Sequence, residues 1–130
     1  MQLHRFLVPL VALLFLLRSA SVTAQDTAPT FQDDVAPIFA ANCLACHAEA
    51  AQSGLDLRTE ETIMKGGMSG PAVIPGKSGE SLLMAKIESG QMPPGPSRLA
   101  DTQISLIKEW IDTTLAAEED LKASIAALGF

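Results

Sequence analysis

The chain has 130 residues, nine of them basic and fifteen acidic, giving a formal net charge of −6, and it contains only two cysteines and two histidines. That is room for one small domain, and the excess of acid argues against nucleic acid as a partner. A structural zinc framework takes four Cys or His ligands, usually in two pairs, and with His4 in a segment expected to be removed only Cys43, Cys46 and His47 remain, with no second cluster.

Met1 to Ala24 read as a secretory signal peptide. Arg5 supplies the positive start, Phe6 to Leu17 the apolar run, and Val22-Thr23-Ala24 a small-residue cleavage site before Gln25. The run is short for a membrane span, so no span is expected after cleavage, and the mature protein is expected to be periplasmic or secreted. Arg18 is the untidy feature. Removing 24 of the 130 residues leaves 106, with seven basic residues against fifteen acidic ones and a mature charge of −8. This acidity reads first as a solubility feature, with steering towards a basic redox partner as the alternative.

Gln25 to Thr30 look like a disordered lead-in. A helix is expected from near Asp33, with acids in its first turn, Pro37 tolerated near its start, and Val35, Ile38 and Phe39 on one face. It runs into Cys43-Leu44-Ala45-Cys46-His47. C-x-x-C-H is the attachment signature of c-type haem, in which two thiols one turn apart reach the vinyl groups and the next residue offers an imidazole to iron. His47 follows Cys43 by four positions and so shares its helical face. His4 lies in the expected leader, so every thiol and imidazole of the mature chain falls in this one pentapeptide. The expected cofactor is therefore one haem c, bound through Cys43 and Cys46, with His47 as an iron ligand. A thiol-disulfide oxidoreductase is the rival reading, but its thioredoxin-like fold needs strands around the motif. Phe31, Phe39, Trp110 and Phe130 are the only mature aromatics, so a covalently held porphyrin would supply much of the apolar core.

Ala48 to Gly54 read as a loop, and Gly54 to Arg58 as a short extended segment. Thr59 is the expected N-cap of a helix through Lys65, stopped by Gly66-Gly67. Met68 to Lys77 is too rich in glycine and proline for regular structure. Ser78 is expected to cap another short helix, with Leu82, Leu83 and Ile87 on its apolar face and Gly90 at its end. Gln91 to Pro96 form an irregular loop. Asp101 is the expected cap of the last long helix, with Ile104, Ile107, Trp110, Ile111 and Leu115 in one stripe. Beyond Ala116, Leu121, Ile125 and Leu128 again fall at helical spacing. The domain is thus set at 31–116 and a C-terminal helical extension at 117–130.

The mature chain has no second histidine, which leaves methionine, lysine or an open position opposite His47 at the iron. Met84 sits on an apolar helix face, where methionine is usually core filler. Met64, Met68 and Met92 remain. Met92 has the best case, since it stands 45 residues after His47 with prolines behind it that restrict its loop.

This order of elements resembles the class I cytochrome c fold, an all-α arrangement of about four or five short helices around one haem. More closely, several blocks resemble the planctomycete-type cytochrome c domain. They are Phe31 to Phe39, Cys43 to His47, Gly54 to Thr59, the Gly70-Pro71 to Gly76 loop, Glu80 to Leu83, and Met92-Pro93-Pro94. Ala48 departs from the glycine that often follows the histidine, and the large additional domains that often accompany this module are absent from this sequence. The resemblance also points to Met92 as distal ligand. It further implies that the carbonyl of Pro71 accepts a hydrogen bond from His47 Nδ1, the contact that usually orients a ligating imidazole. A six-coordinate His/Met iron suits one-electron transfer and not substrate chemistry. The expectation is an electron carrier, not itself an enzyme, serving redox partner proteins. A small-ligand sensor or weak peroxidase with an open sixth site is the alternative.

Overall fold

The structure, a computed structural model, describes residues 28–129. The expected signal peptide, the first part of the lead-in and Phe130 lie outside the described residues. Among the described residues there are helices, turns and one isolated bridge between Gly67 and Gly70, and no strands, in keeping with the all-α expectation. None of these helices is long and apolar enough to cross a membrane.

A π-helical turn, Phe31–Val35, leads without a break into α1, Ala36–Asn42. The helical conformation begins two residues before Asp33 because Thr30 caps it. Thr30 Oγ1 accepts from the backbone N–H of Asp33 at 3.2 Å, and the Asp34 carboxylate accepts from the N–H of Thr30 at 2.7 Å. Pro29 is buried, and its carbonyl accepts a hydrogen bond from the Thr114 hydroxyl. Residues 28–30, assigned from sequence to a disordered lead-in, are therefore tied into the domain at both its first and its last helices.

After Cys43 comes α2, Leu44–His47, the turn that carries the motif. The chain then reverses through a 3-10 turn, Gln52–Gly54, to α3, Glu60–Lys65. Thr59 caps α3 as expected. The Thr62 N–H donates to Thr59 Oγ1 at 3.2 Å, and Thr62 Oγ1 accepts from the Thr59 N–H at 3.3 Å. Gly66 ends the helix at φ +75°, and a Cβ there would lie 2.1 Å from the Gly70 oxygen and 2.7 Å from Pro71 Cα. No other residue fits that approach.

Two expected caps move by a few residues. Ser78 lies in a 3-10 turn, Ser78–Glu80, and Ser81 occupies the N-cap position of α4, Leu82–Glu88. Ser78 is instead buried against the C-terminal end of α5, Asp101–Asp112. Its N–H donates to Asp112 Oδ1 at 2.7 Å and its hydroxyl to Asp112 Oδ2 at 2.6 Å. A tertiary partner for both its donors outcompetes the local cap. At the start of α5, Asp101 is the first helical residue and Ala100 stands at the N-cap position. The Ala100 N–H donates to Gln103 Oε1 at 3.0 Å.

A break at Thr113 separates α5 from α6, Thr114–Ala127. Leu115 is buried in the core, whereas Leu121, Ile125 and Leu128 are exposed. The C-terminal extension is thus a separate helix whose first turn, from Thr114, belongs to the domain and not to the tail.

The core is built where the N-terminal helical segment crosses α5. Phe31 lies with its ring centroid 6.2 Å from Phe39 and 5.6 Å from Trp110, distances at which aromatic pairs add to their burial. Val35, Ile107, Trp110 and Ile111 are completely inaccessible. Trp110 Nε1 donates to Glu60 Oε1 at 3.3 Å, which ties α3 to α5. Burial, and then the neighbouring Glu118, push the Glu60 carboxyl above its ordinary 4.5, with the Trp110 N–H pulling it back in part.

Two outcomes test this framework. Asp112→Ala leaves both Ser78 donors without their acceptor and is expected to lower unfolding free energy by about 1–3 kcal/mol, read from denaturant midpoints; Asp112→Asn should lose less. The folded state holds the Glu60 proton more tightly than the unfolded chain. This group's contribution is therefore fully present below 4.5 and is lost as pH rises through its higher folded value. Glu60→Gln, which keeps an acceptor for Trp110, should flatten that part of the melting-temperature profile.

Candidate functional site

Cys43, Cys46 and His47 line a cleft that encloses about 1010 Å3 free of protein atoms, part of it open to solvent. Its apolar walls come from three places: Leu55 and Leu57 after the motif, Ala72 in the middle loop, and Leu82, Leu83 and Ile87 on one face of α4. The motif is presented there because α1 stops at Asn42. Cys43, at φ −125°, turns the next helical residues away from the α1 axis. Asn42 Nδ2 donates back to the Ile38 carbonyl at 2.7 Å and closes the end of α1.

The imidazole is held from the segment that returns after the motif. The reversal over residues 48–54 places Ala51 and Ser53 at positive φ. It ends with the Leu57 N–H donating to the His47 carbonyl at 2.8 Å. This brings the Leu55 carbonyl 3.3 Å from His47 Nδ1. A carbonyl can only accept, so the contact puts the proton on Nδ1 and leaves Nε2 with a free lone pair for a metal. The acceptor expected at Pro71 is therefore Leu55 in this structure. Pro71 is exposed and does not line the cleft, although Gly70 and Ala72 on either side of it do. The physical reason is local: eight residues and one reversal suffice to bring a carbonyl back to His47. The sequence signal was the alternating Gly54 to Arg58 stretch, whose pairing with the motif needed the turn geometry to become visible.

Of the four methionines beyond the leader, Met68 and Met92 line the cleft, while Met84 is buried in the core and Met64 packs against it. The two lining residues are anchored differently. The Met68 N–H donates to the Ser53 carbonyl at 2.7 Å, so Met68 is fastened to the loop that also carries Leu55. The Met92 N–H donates to the Lys86 carbonyl at 3.0 Å, so Met92 is fastened to α4. Arg58 and Trp110 do not line the cleft. Arg58 pairs with Asp56, and that hydrogen bond lowers the Asp56 carboxyl below its ordinary value.

Burial pushes the Cys43 thiol up to about 11. A reactive redox thiol needs the opposite shift, since the thiolate is the nucleophile. Among the described residues no three His, Cys, Asp or Glu side chains converge as a metal site.

Residues 43–96 match the family model described as planctomycete cytochrome C. The segment is similar to a planctomycete-type cytochrome c domain. The match contains the motif, the return segment, α3, α4 and Met92. The Phe31 to Phe39 block and everything after Pro96 lie outside it. Searches of curated proteins and of solved structures found no match.

The donor set fits the group this domain type implies. Two free thiols and an imidazole with an available Nε2 face an apolar cleft, which suits a porphyrin attached at its edge and ligated at its iron. The wall behind the imidazole depends on Gly67, where a Cβ would lie 2.6 Å from the Ser53 oxygen and 3.2 Å from Leu55 Cβ. Gly67→Ala should push residues 53–55 away from His47 and cost about 1–3 kcal/mol, measured by thermal unfolding of the haem-loaded protein.

Proposed function

We propose that the chain is an exported mono-haem c-type cytochrome that carries single electrons, as a mobile carrier or as a subunit of a respiratory or dehydrogenase chain. Cys43 and Cys46 would hold haem c through thioethers, His47 would be its proximal iron ligand and Met92 its distal one. The bound group supplies reversible one-electron uptake at a potential raised by His/Met ligation. The residues of the chain hold both ligands and exclude water from the apolar side of the cleft.

The observation that carries the reading is the meeting of Cys43, Cys46 and His47 with Met92 on the lining of one apolar cleft. The anchoring of the two lining methionines favours Met92 as the ligand opposite His47. Met92 is attached to α4, away from the loop that orients the imidazole, whereas Met68 is attached to that loop. The raised Cys43 thiol argues against the thiol-disulfide oxidoreductase alternative. The leader read at 1–24 supports export to the periplasm or beyond, where haem c is attached. The acid excess of the mature chain would favour basic redox partner proteins.

The test is an absorption spectrum of the matured protein, oxidised and reduced, beside Met92→Ala. The wild type is expected to show a low-spin c-type spectrum with the weak red methionine–iron band. The variant should lose that band, turn high-spin and bind carbon monoxide when reduced. A wild type that is already high-spin and binds carbon monoxide would move the function to a small-ligand sensor or weak peroxidase. A protein without haem would overturn the reading.

A further inference from the structure

Every lining residue of the cleft is uncharged or a thiol or imidazole, with one exception: Lys86. It stands on α4 one turn after Leu82 and shares the cleft-facing side of that helix with Leu83 and Ile87. Its head and its backbone both serve the loop that follows. Nζ donates to Gln91 Oε1 at 2.6 Å, and the backbone carbonyl accepts from the Met92 N–H at 3.0 Å.

Seven basic residues fall within 28–129, and four of them are in ion pairs: Arg58 with Asp56, Lys77 with Glu80, Lys108 with Glu88 and Lys122 with Glu119. Lys65, Lys86 and Arg98 have no such pair among the described residues; of these three only Lys86 lines the cleft, and its partner Gln91 is neutral. Fourteen acids fall within the same residues and offer counter-charge elsewhere, yet none of them lines the cleft. A half-buried ammonium at the edge of an apolar cleft, with no carboxylate beside it, can pair with a ligand that brings one.

Haem c carries two propionate carboxylates, on the side of the ring away from the vinyl groups that cysteines engage. We propose that Lys86 is the counter-ion of a haem propionate and a positioning residue that raises the reduction potential. The proposal rests on the haem reading above. Reduction brings one electron from the donor protein to the haem and lowers its net charge by one, which a neighbouring negative propionate opposes. A cation paired with that propionate reduces the opposition, and it does so effectively where apolar walls keep the local dielectric low. The same pairing holds the propionate ionised to lower pH.

The experiment compares the haem-loaded wild type with Lys86→Met, Lys86→Arg and Lys77→Met. Midpoint potentials are measured by spectroelectrochemical titration across the neutral pH range, with the methionine–iron band recorded for each. Lys77 lies outside the cleft and is exposed, so its removal controls for loss of one positive charge. Lys86→Met is expected to keep the band, to lower the midpoint, and to move its pH dependence upward as the unpaired propionate binds protons more tightly. Lys86→Arg should restore both and Lys77→Met should change neither. Equal potentials and pH profiles in Lys86→Met and wild type would overturn the proposal. So would a drop no larger than that of Lys77→Met. Loss of the methionine–iron band in Lys86→Met would also overturn it, by reducing Lys86 to a support of the Met92 loop. Absence of haem from the wild type would instead overturn the parent reading, and this one with it.

Discussion

The contact between Phe31 and Trp110 is the one on which the remaining structure depends. A turn that carries two thiols and an imidazole towards an open cleft cannot be packed on its front face, so it has to be held from behind. Phe31, Val35 and Phe39 do this by burying the back of the N-terminal helical segment against Ile107, Trp110 and Ile111 of α5. With about 25 cal/mol for each Å2 of apolar area removed from water, a few large side chains supply most of that hold. The same helix α5 then fixes the opposite side of the domain. The Gly76 N–H donates to its Ile111 carbonyl at 2.9 Å, and its Asp112 takes both donors of Ser78. The middle loop and α4 are thereby set against the frame that carries the motif, and the cleft is the space left between them.

Within that frame, the two walls of the cleft have different mechanical origins. The wall behind His47 is made of backbone: a tight reversal, a hydrogen bond from the Leu57 N–H to the His47 carbonyl, and two glycines through which chain passes close to chain. Backbone contacts of this kind define position closely, as a metal-ligating imidazole requires. The facing wall is a two-turn helix whose apolar residues Leu82, Leu83 and Ile87 meet the cleft, with Met92 hung from the carbonyl of Lys86. Met92, the distal ligand proposed above, is suspended from a short helix and a proline-rich loop, whereas the imidazole is held by backbone on both sides. This asymmetry suits the proposed ligation, in which His47 would belong to the attachment motif and the distal ligand would come from further along the chain.

The helical content, the motif and the glycine stop of α3 were legible because each rests on local chemistry. Apolar residues at a 3.6-residue period marked the faces of α4 and α5. Thr59 and Gly66 marked the ends of α3, since a side-chain acceptor and a left-handed residue are needed there by the helix itself. The short-range readings went astray where a distant partner competed. Ser78 is a good cap by composition, but Asp112, 34 residues away, offers it two hydrogen bonds. Residues 28–30 have the composition of a lead-in, but the Thr114 hydroxyl and the Asp34 carboxylate secure them.

By itself the sequence determined the chemistry available to this protein: two thiols and one imidazole in a single helical turn, a small set of methionines, and an acidic chain with few aromatic residues. What only the tertiary structure decided was which groups meet that chemistry. Leu55 and not Pro71 faces the imidazole, Met68 and Met92 reach the cleft while Met64 and Met84 do not, and Lys86 is the cation on its wall. The reason is physical. Ligand type is a property of a side chain, whereas a carbonyl's direction or a lysine's surroundings arise only when turns and long-range packing have closed the chain on itself.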